Sequence, residues 1–490
     1  MKVRSAIFAV FILLVPATVQ GQVIGIAPLR SQPPERPEDK TIKVRITPAG
    51  EPSPALRFRL LPDYLQTSPG NSAQHYFRAF APEWSGNRDK EFRKALNDWN
   101  PNAGKKPEKI LLSVLNDNAL KQVDLAARKR HCDWDLLQQM KKDGIAMLLP
   151  DVQGFRDFSR KLALRARLQI LEGKYDEAVY TMQTGLKLGR DVGEGPTLIH
   201  MLVGIAICSQ MLTEIEFMSQ RKDAPNMYWA LADLPRPFQP MRKQLQGERA
   251  LFDSLFPGFR KLAWELDAPP MDQGQLDRAL DKFLKAKKLI GVRDTTEVWV
   301  GRLGLAVMAA KTYPVAKKVL LAQGRPPELV KKMPILQVVM IYETQNYDRY
   351  FDDMAKWCSL PYPQARKGLR ETEKRLREEV DKSGSTGIIL AKLLLPAMES
   401  VVTATHRIDR KIATLRYIES IRNYAEHNDG KIPTSPDQLK TMPAPSDPLT
   451  EEPFEYRVRG NTIFLTAPVP KGDTPRWQTN HWTYEITVQK

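Results

Sequence analysis

A chain of 490 residues, of which 42% are hydrophobic and 27% are charged, is composed like a folded globular protein, and its length suggests about two to four domains. This composition excludes wholesale disorder. The 74 Lys and Arg residues outnumber the 57 Asp and Glu residues and give a formal net charge of +17. Three cysteines are too few for a disulfide scaffold. They allow at most one internal disulfide, and the sequence does not distinguish the three possible pairs.

The first 21 residues have the pattern of a secretory signal. Lys2 and Arg4 precede an apolar run from Ala6 to Val15, and compact residues lead to Gly21. About ten apolar residues is half of what a bilayer-spanning helix needs. We therefore expect signal cleavage at Gly21 and export to the periplasm or the extracellular space. The alternative is an uncleaved membrane anchor in the same place.

The charge of the exported protein limits its partners. Removing Lys2 and Arg4 with the signal leaves a strongly basic chain. Outside the cytoplasm the available polyanions are wall polymers, acidic polysaccharides and anionic lipid head groups, so we expect an anionic polymer or lipid surface as a possible partner and no nucleic acid. A solvated basic surface without a specific partner would give the same composition.

Proline placement divides the rest of the chain into three regions. Of 38 prolines, nine precede residue 63 and nine fall within residues 433–475, so the two ends are predicted to be irregular or β-like. The middle has apolar residues three and four positions apart, as amphipathic helices do. The sequence predicts a Pro-rich linker over 22–54, an all-helical region over 55–395 and a C-terminal domain over 396–490.

Residues 159–190 are the most informative part of the helical region. Two helices are expected there, joined by a tight turn that Tyr175 can cover, with small residues that let the helices approach closely. The small and turn residues are Ala166, Gly173, Ala178 and Gly185. The segment resembles one tetratricopeptide repeat, which implies a degenerate array of helical hairpins. An irregular helical domain is the alternative.

The most apolar internal segment runs from Leu198 to Met211. It contains His200 and Gln210, and it is too short for a convincing membrane span. We expect a helix that is buried on most of its sides.

The C-terminal region predicts one long helix packed on a small antiparallel sheet. The apolar stripe from Pro396 to His427 would extend a helix for about 48 Å, with Pro396 in its first turn. Alternating segments at 454–458 and 462–467 flank a two-residue hairpin loop at Gly460-Asn461. A third alternating segment follows at 482–488.

Two resemblances accompany this pattern. The turn Asn428-Asp429-Gly430-Lys431-Ile432-Pro433, followed by Asp447-Pro448 and Pro453-Phe454-Glu455-Tyr456, resembles the soluble part of type II secretion pseudopilins. This resemblance implies a pilin-like fold for residues 396–490, although Glu451 stands where that family usually has glycine. The whole chain, including Ala55-Leu56-Arg57-Phe58 and Gly70-Asn71-Ser72-Ala73, resembles a group of uncharacterised secreted bacterial proteins.

Two groups of side chains are candidates for binding sites. His131 and Asp135 are four residues apart and would share a helix face as metal ligands, although a turn with a Trp anchor and exposed carboxylates gives the same pattern. Tyr347, Tyr350 and Trp357 lie among acidic residues and could stack on sugar rings. A helix with its aromatic residues in the core is the alternative for that group.

No complete catalytic motif occurs in the sequence, and Glu248 is a carboxylate with no recognisable partner. The sequence therefore predicts a non-enzymatic interaction or scaffold protein of the bacterial envelope, with a protein partner and no cofactor. Two alternatives stay open: an extracytoplasmic hydrolase of wall polymer or polysaccharide that uses an unrecognised carboxylate pair, and a soluble pseudopilin-related secretion accessory. The oligomeric state is not predicted.

Overall fold

A computed structural model describes residues 41–81, 89–99, 106–136, 152–255, 258–289, 298–383, 388–471 and 482–489. The predicted signal with Gly21 lies outside these residues, as does most of the predicted linker. The helices of the N-terminal half are α1 (Ser72–Ala79), α2 (Asp89–Asp98), α3 (Lys109–Leu112), α4 (Asn118–Ala127), α5 (Val152–Leu171), α6 (Tyr175–Gly193), α7 (Leu198–Met218) and α8 (Tyr228–Ala232).

The second half continues the helical pattern. Its helices are α9 (Arg242–Leu255), α10 (Phe259–Trp264), α11 (Gln273–Leu289), α12 (Val298–Ala322), α13 (Pro327–Lys332), α14 (Ile335–Ala355), α15 (Tyr362–Ser383) and α16 (Ile388–His427). The strands are β1 (Thr41–Ile46), β2 (Ser68–Asn71), β3 (Lys129–His131), β4 (Glu455–Arg459), β5 (Thr462–Thr466) and β6 (Thr483–Val488). The predicted mainly helical fold with a small C-terminal sheet is thus confirmed.

Helices α5 and α6 form the hairpin that the sequence predicts. Gly173 takes the left-handed conformation that a tight turn needs, with φ +72°. Across the hairpin, Arg165 Nε donates to Thr181 Oγ1 at 3.0 Å, and Ala166 and Ala178 are fully buried. Tyr175 begins α6 directly after this turn. Its hydroxyl donates to the carbonyl of Lys222, which follows α7.

The glycines of α6 bring it close to α7 rather than to α5. A Cβ at Gly185 would lie 2.2 Å from Met211 Sδ, and one at Gly204 would lie 2.3 Å from the carbonyl oxygen of Gly189. The prediction that Gly185 serves the α5–α6 contact is wrong. Because α6 is packed between two helices, each of its small residues can face either neighbour, and sequence spacing does not distinguish them.

Helix α7 is buried on most of its sides, as predicted. Thr197 caps its N-terminus in a capping box with His200. Among the described residues, α7 alone is long and apolar enough to cross a membrane, but 67% of its most apolar window is buried inside the protein. A core helix passes the same test of length and composition, so this finding is weak support for a membrane span.

The C-terminal sheet has the order β1-β6-β5-β4. The β4–β5 hairpin turns at Gly460, and β6 pairs with β5 in antiparallel fashion, both as predicted. The sheet is mixed rather than antiparallel, because β1 joins β6 in parallel with Thr41 opposite Thr483.

Strand β1 corrects the linker prediction for residues 41–46. These residues alternate polar and apolar side chains, and the apolar ones at Val44 and Ile46 are buried. The prolines around them dominate the local composition and hide the alternation. Thr47 continues the attachment, because its amide donates to the carbonyl of Ser219 at the end of α7.

Helix α16 corrects the predicted domain boundary. It begins at Ile388 and spans 40 residues, so Pro396 lies inside it rather than in its first turn. One continuous apolar core contains residues from both sides of this boundary, including Leu186 and Ile207 on the N-terminal side and Ile418 and Ile463 on the C-terminal side. The proline is a local signal, whereas the core is built by contacts along the whole helix.

Candidate functional site

The predicted metal pair does not lie on a helix. His131 ends strand β3, and Asp135 takes a positive φ of 51° in the segment that follows. Both side chains are exposed, whereas Trp134 between them is buried. Among the described residues no group of three or more His, Cys, Asp and Glu side chains could hold a metal ion. The helical premise of that prediction is therefore wrong, and the Trp anchor of the alternative is present.

The predicted sugar platform is part of the core. Tyr347 and Tyr350 are 2% and 3% exposed on α14, and the ring of Tyr347 stacks on Phe252 at 4.2 Å. Trp357 is half-buried against Gly368, and its Nε1 donates to Thr372 Oγ1 at 3.3 Å. A sugar can stack only on a ring that has at least one face open to solvent, so the burial of Tyr347 and Tyr350 fits the structural alternative.

Glu248 is the ionisable group with the most unusual surroundings. It lies on α9 and is 6% exposed, and its Oε1 accepts a hydrogen bond from the backbone amide of Leu198 at 2.8 Å. Burial raises the pKa of Glu248 to about 7, and the bond from Leu198 only partly opposes this. The carboxyl thus satisfies one of the free amides at the N-terminus of α7.

A second buried carboxylate lies close to this group. Asp348 on α14 is 2% exposed and forms an ion pair with Arg260 Nε at 3.0 Å. Burial raises the pKa of the neighbouring Tyr347 hydroxyl, and the negative charge of Glu248 adds to that shift. No hydrogen-bond partner for that hydroxyl occurs in the described part of the chain. A carboxyl that titrates near neutrality beside a phenol could move protons, but the low exposure of these groups closes them to a substrate.

Asp348 also holds a tryptophan on the surface. Trp264 Nε1 donates to Asp348 Oδ2 at 2.9 Å, yet 57% of the Trp264 side chain is exposed. Leu266 and Ile335, which are 48% and 49% exposed, belong to the adjoining segments. Gln337 links those segments, because its side chain bonds to the backbone of Pro269 and Met271 at 2.8 Å. We call Trp264 and Leu266 the Trp264 surface.

A buried aspartate that the sequence did not single out joins helices α1 and α6 to the segment that follows β3. Asp191 on α6 accepts from the hydroxyl of Tyr76 at 2.9 Å, and its carbonyl accepts from Trp134 Nε1 at 2.8 Å. Lys187 forms an ion pair with the same carboxylate. Burial raises the pKa of Asp191, although Lys187 lowers it. Both carboxylate oxygens of Asp191 have partners within the protein, so the cluster stabilises the packing of these segments.

Two buried arginines on α16 were likewise missed by sequence reasoning. Arg410 binds Asp447 through two hydrogen bonds of 2.7 and 2.5 Å, and neither side chain is exposed. Arg422 pairs with Glu419 and donates to the carbonyl of Thr47 at 2.8 Å. Asp447 and Thr47 are far from these arginines in the sequence, so no local signal identifies these two contacts. The helix is thereby attached to both the C-terminal loop and the strand β1 region.

The same helix carries a partly buried histidine beside a partly buried aspartate. The ring of His406 lies 4.1 Å from that of Tyr362, and its Nδ1 lies 4.0 Å from Asp409 Oδ2. Burial lowers the pKa of His406 to about 4 and raises that of Asp409 to about 6. Asp409 accepts from the amide of Phe238 at 2.9 Å, so this carboxylate also fixes a loop.

The buried ionisable side chains described above therefore form hydrogen bonds to helix ends and loops. One of them, Asp348, binds the exposed indole of Trp264. Cys132, Cys208 and Cys358 are unpaired thiols in this structure. Comparison of the chain with protein-family models, with curated proteins and with solved structures finds no match. Geometry and chemistry alone must carry the functional conclusion.

Proposed function

We propose that the protein is a non-enzymatic interaction or scaffold protein of the bacterial envelope. The observation that carries this proposal is the exposed Trp264 indole, which the buried Asp348 holds in one pose. Tryptophan is enriched among the residues that dominate binding energy. A side chain that is already fixed loses little conformational entropy when a partner covers it.

The ion pair below the indole supports this interpretation. Arg260 Nε lies 3.0 Å from Asp348 Oδ1, so the buried carboxyl group that accepts the indole hydrogen bond has a cationic partner on its other oxygen. Leu266, two residues further along the chain and 48% exposed, adds apolar area next to it. An exposed aromatic anchor with aliphatic neighbours is typical of the centre of a protein–protein interface.

The architecture supports the same class of function. The α5–α6 hairpin and its tight packing on α7 suit a tetratricopeptide-like stack, and such stacks present extended surfaces to partner proteins. We propose a degenerate array of this type for the helical region. Export through a signal cleaved at Gly21 would place it in the envelope, and N-terminal sequencing of the protein recovered outside the cytoplasm tests that location.

A photo-crosslinking experiment tests the interaction. We expect a photoreactive phenylalanine at Leu266 to give a discrete adduct in envelope preparations of the producing cell. Trp264→Ala should reduce that adduct about 30-fold, because truncation of a central aromatic anchor costs about 2 kcal/mol of binding energy. The full chain carries the probe in both cases, and thermal unfolding shows whether the variant is folded.

The matched control places the same probe at Leu360, which is 44% exposed and outside the Trp264 surface. Equal adducts from both positions, or an adduct at Leu266 that does not depend on Trp264, would contradict the proposal. Absence of any adduct at Leu266 would contradict it as well. An adduct of twice the chain mass would identify a second copy as the partner.

A hydrolase is the alternative that one specific observation favours. Burial raises the pKa of Glu248 to about 7, which is the range of a general acid. This function requires that the exported protein degrade a wall polymer or polysaccharide and that Glu248→Gln abolish the turnover. We expect no turnover by either protein.

A soluble pseudopilin-related accessory is the remaining alternative. A long helix that precedes an antiparallel hairpin, with Asp447 in the connecting loop, supports a pilin-like C-terminal unit. The parallel strand β1 is an addition to that pattern. This function would be favoured over the first if the protein co-purified with the components of a type II export machine and a variant that lacks residues 388–490 did not.

A further inference from the structure

A separate surface, on a turn between residues 63 and 67, carries the most exposed apolar side chains that the structure describes. Leu65 is 90% exposed and Tyr64 is 71% exposed. Isolated exposed leucines are common, but two adjacent projecting residues at the apex of a turn are a different feature. A side chain that lines a groove is partly covered by the groove walls. These two therefore project from the surface, and we call them the Tyr64-Leu65 tip.

The turn that carries the tip is held in one conformation. The amide of Gln66 donates to Asp63 Oδ1 at 2.9 Å, and the amide of Asp63 donates to Gln66 Oε1 at 3.2 Å. Thr67 Oγ1 donates to the carbonyl of Tyr64 at 2.9 Å. Gln183 on α6 donates to the same Gln66 oxygen at 3.1 Å, which fixes the turn on the helical body. The exposure of the tip is thus built into the fold.

Cations surround the tip on the side of β3. The guanidinium of Arg130 lies over the ring of Tyr64 at 4.4 Å from its centroid. Lys129 Nζ donates to Ser68 Oγ at 3.0 Å, next to the turn. Within the described ranges neither Lys129 nor Arg130 forms an ion pair. His131 follows them directly in the sequence. Two cations close to a projecting aromatic and aliphatic pair are therefore free to meet an anionic surface.

We propose that the Tyr64-Leu65 tip inserts into the head-group region of an anionic lipid bilayer. A projecting pair needs an occupant that closes around it, and a fluid head-group layer does so without a preformed pocket. Tyrosine suits the interface, because its ring is apolar and its hydroxyl can stay hydrated. Lys129 and Arg130 lie at the level of the lipid phosphates, where anionic lipids attract basic side chains.

The charge of the whole chain favours lipid over an uncharged partner. The formal charge is +17 for the whole chain, or 17 − 2 = +15 once Lys2 and Arg4 leave with the signal, so the protein is drawn to an anionic leaflet before any insertion takes place. Insertion of the tip then adds a short-range apolar contribution that depends on Leu65. The two contributions differ in their response to salt, because only the electrostatic one is screened. This inference goes beyond the proposed protein interaction, which uses Trp264 on other elements.

Vesicle co-sedimentation with the exported full-length protein tests the proposal. We expect binding to vesicles of 30% phosphatidylglycerol and 70% phosphatidylethanolamine, and a decrease of about tenfold between roughly 50 and 500 mM NaCl. Leu65→Glu should weaken binding at least about tenfold, because it removes the inserted side chain and adds a repelled charge. Arg130→Glu should weaken it at low salt and have less effect at high salt.

Leu360→Glu is the matched control, since it adds the same charge at a side chain that is 44% exposed and outside the tip. It should bind as the wild type does, apart from the small effect of lower net charge. Equal binding of the Leu65 and Leu360 variants, or no sedimentation of the wild type, would overturn the proposal. Stronger capture by isolated wall polymer that is insensitive to Leu65→Glu would assign the basic surface to that polymer instead. Thermal unfolding of each variant shows that the comparison is between folded proteins.

Discussion

Individual buried ionisable residues in this protein are explained by the backbone groups they satisfy. Glu248 accepts from the first amide of α7, Asp409 accepts from Phe238, and Arg422 donates to the carbonyl of Thr47. Leaving such a backbone group unpaired in the interior would cost about 1–3 kcal/mol. A carboxyl with a raised pKa is therefore retained here for structural reasons that do not require catalysis.

The pH dependence of stability should reveal Glu248. Its pKa rises from the ordinary value of 4.5 to about 7 in the folded protein, so folding favours the protonated form. The stabilisation from this group is complete below about pH 4.5 and is lost as the pH rises through about 7, a change of about 3 kcal/mol. Glu248→Gln keeps the oxygen that Leu198 needs and cannot ionise. We expect its free energy of unfolding to exceed that of the wild type by less than about 1 kcal/mol near pH 5 and by about 3 kcal/mol near pH 8.

Urea unfolding at both pH values measures this difference. His200, with a pKa lowered to about 4 by burial, and Asp409 also titrate, but they are present in both proteins and cancel. Glu455→Gln, on the exposed strand β4, is the control and should leave the pH profile unchanged. If the difference between Glu248→Gln and the wild type were the same at pH 5 and pH 8, the raised pKa would be wrong.

At the scale of elements, close backbone contact between α6 and α7 organises the helical core. Gly189 and Gly204 face each other. A Cβ at Gly204 would lie 2.3 Å from the carbonyl oxygen of Gly189, and a Cβ at Gly189 would lie 2.8 Å from the carbonyl oxygen of Gly204. Backbone cannot move aside as the end of a flexible side chain can. The two helices can therefore pack at this distance only with glycine at these positions.

Gly204→Ala should destabilise the protein by about 1–3 kcal/mol or more, because overpacking forces the helices apart. Gly274→Ala is the control, since a Cβ there would meet only side-chain atoms of Asp272 and Arg278 at 3.3 and 3.4 Å. In the α11 helix that change should be neutral or stabilising by up to about 1 kcal/mol. Thermal and urea unfolding compare the two. A Gly204→Ala protein as stable as Gly274→Ala would exclude the close contact.

For the whole molecule, the first and the last strand that the structure describes meet in one sheet. Ile46 of β1 lies opposite Val488 of β6, and Thr47 is bonded to Arg422 of α16. Ile46 is fully buried in the core that also contains α5, α6 and α7. The segment predicted as a linker therefore closes the fold at this point.

Ile46→Ala should lower the free energy of unfolding by about 2–5 kcal/mol, because it leaves a cavity in this shared core. It should also reduce hydrogen-exchange protection of the amides in β6, which pairs with β1. Leu360→Ala, at an exposed position, should change stability by less than about 0.5 kcal/mol. Unchanged stability of Ile46→Ala would mean that residues 41–46 are a linker after all.

The amino-acid sequence by itself determined those features that depend on neighbouring residues. Helical periodicity, the turn at Gly173, the burial of α7 and the β4–β5 hairpin all follow from patterns within about 30 residues, where side-chain spacing reports which face is buried. The same reasoning left two interpretations of the Tyr347 and Trp134 segments. The burial of Tyr347 and Trp134 fits the structural interpretation of each segment.

Only the tertiary structure shows which residues distant in the chain are in contact. The parallel pairing of β1 with β6, the Arg410–Asp447 pair and the bond from Trp264 to Asp348 each link separate elements. Parallel strands have no connecting turn whose sequence could be recognised, and a buried charge finds its partner through packing of the whole core. For the same physical reason the exposed tip at Leu65 and the held indole of Trp264 are visible only once the chain is folded.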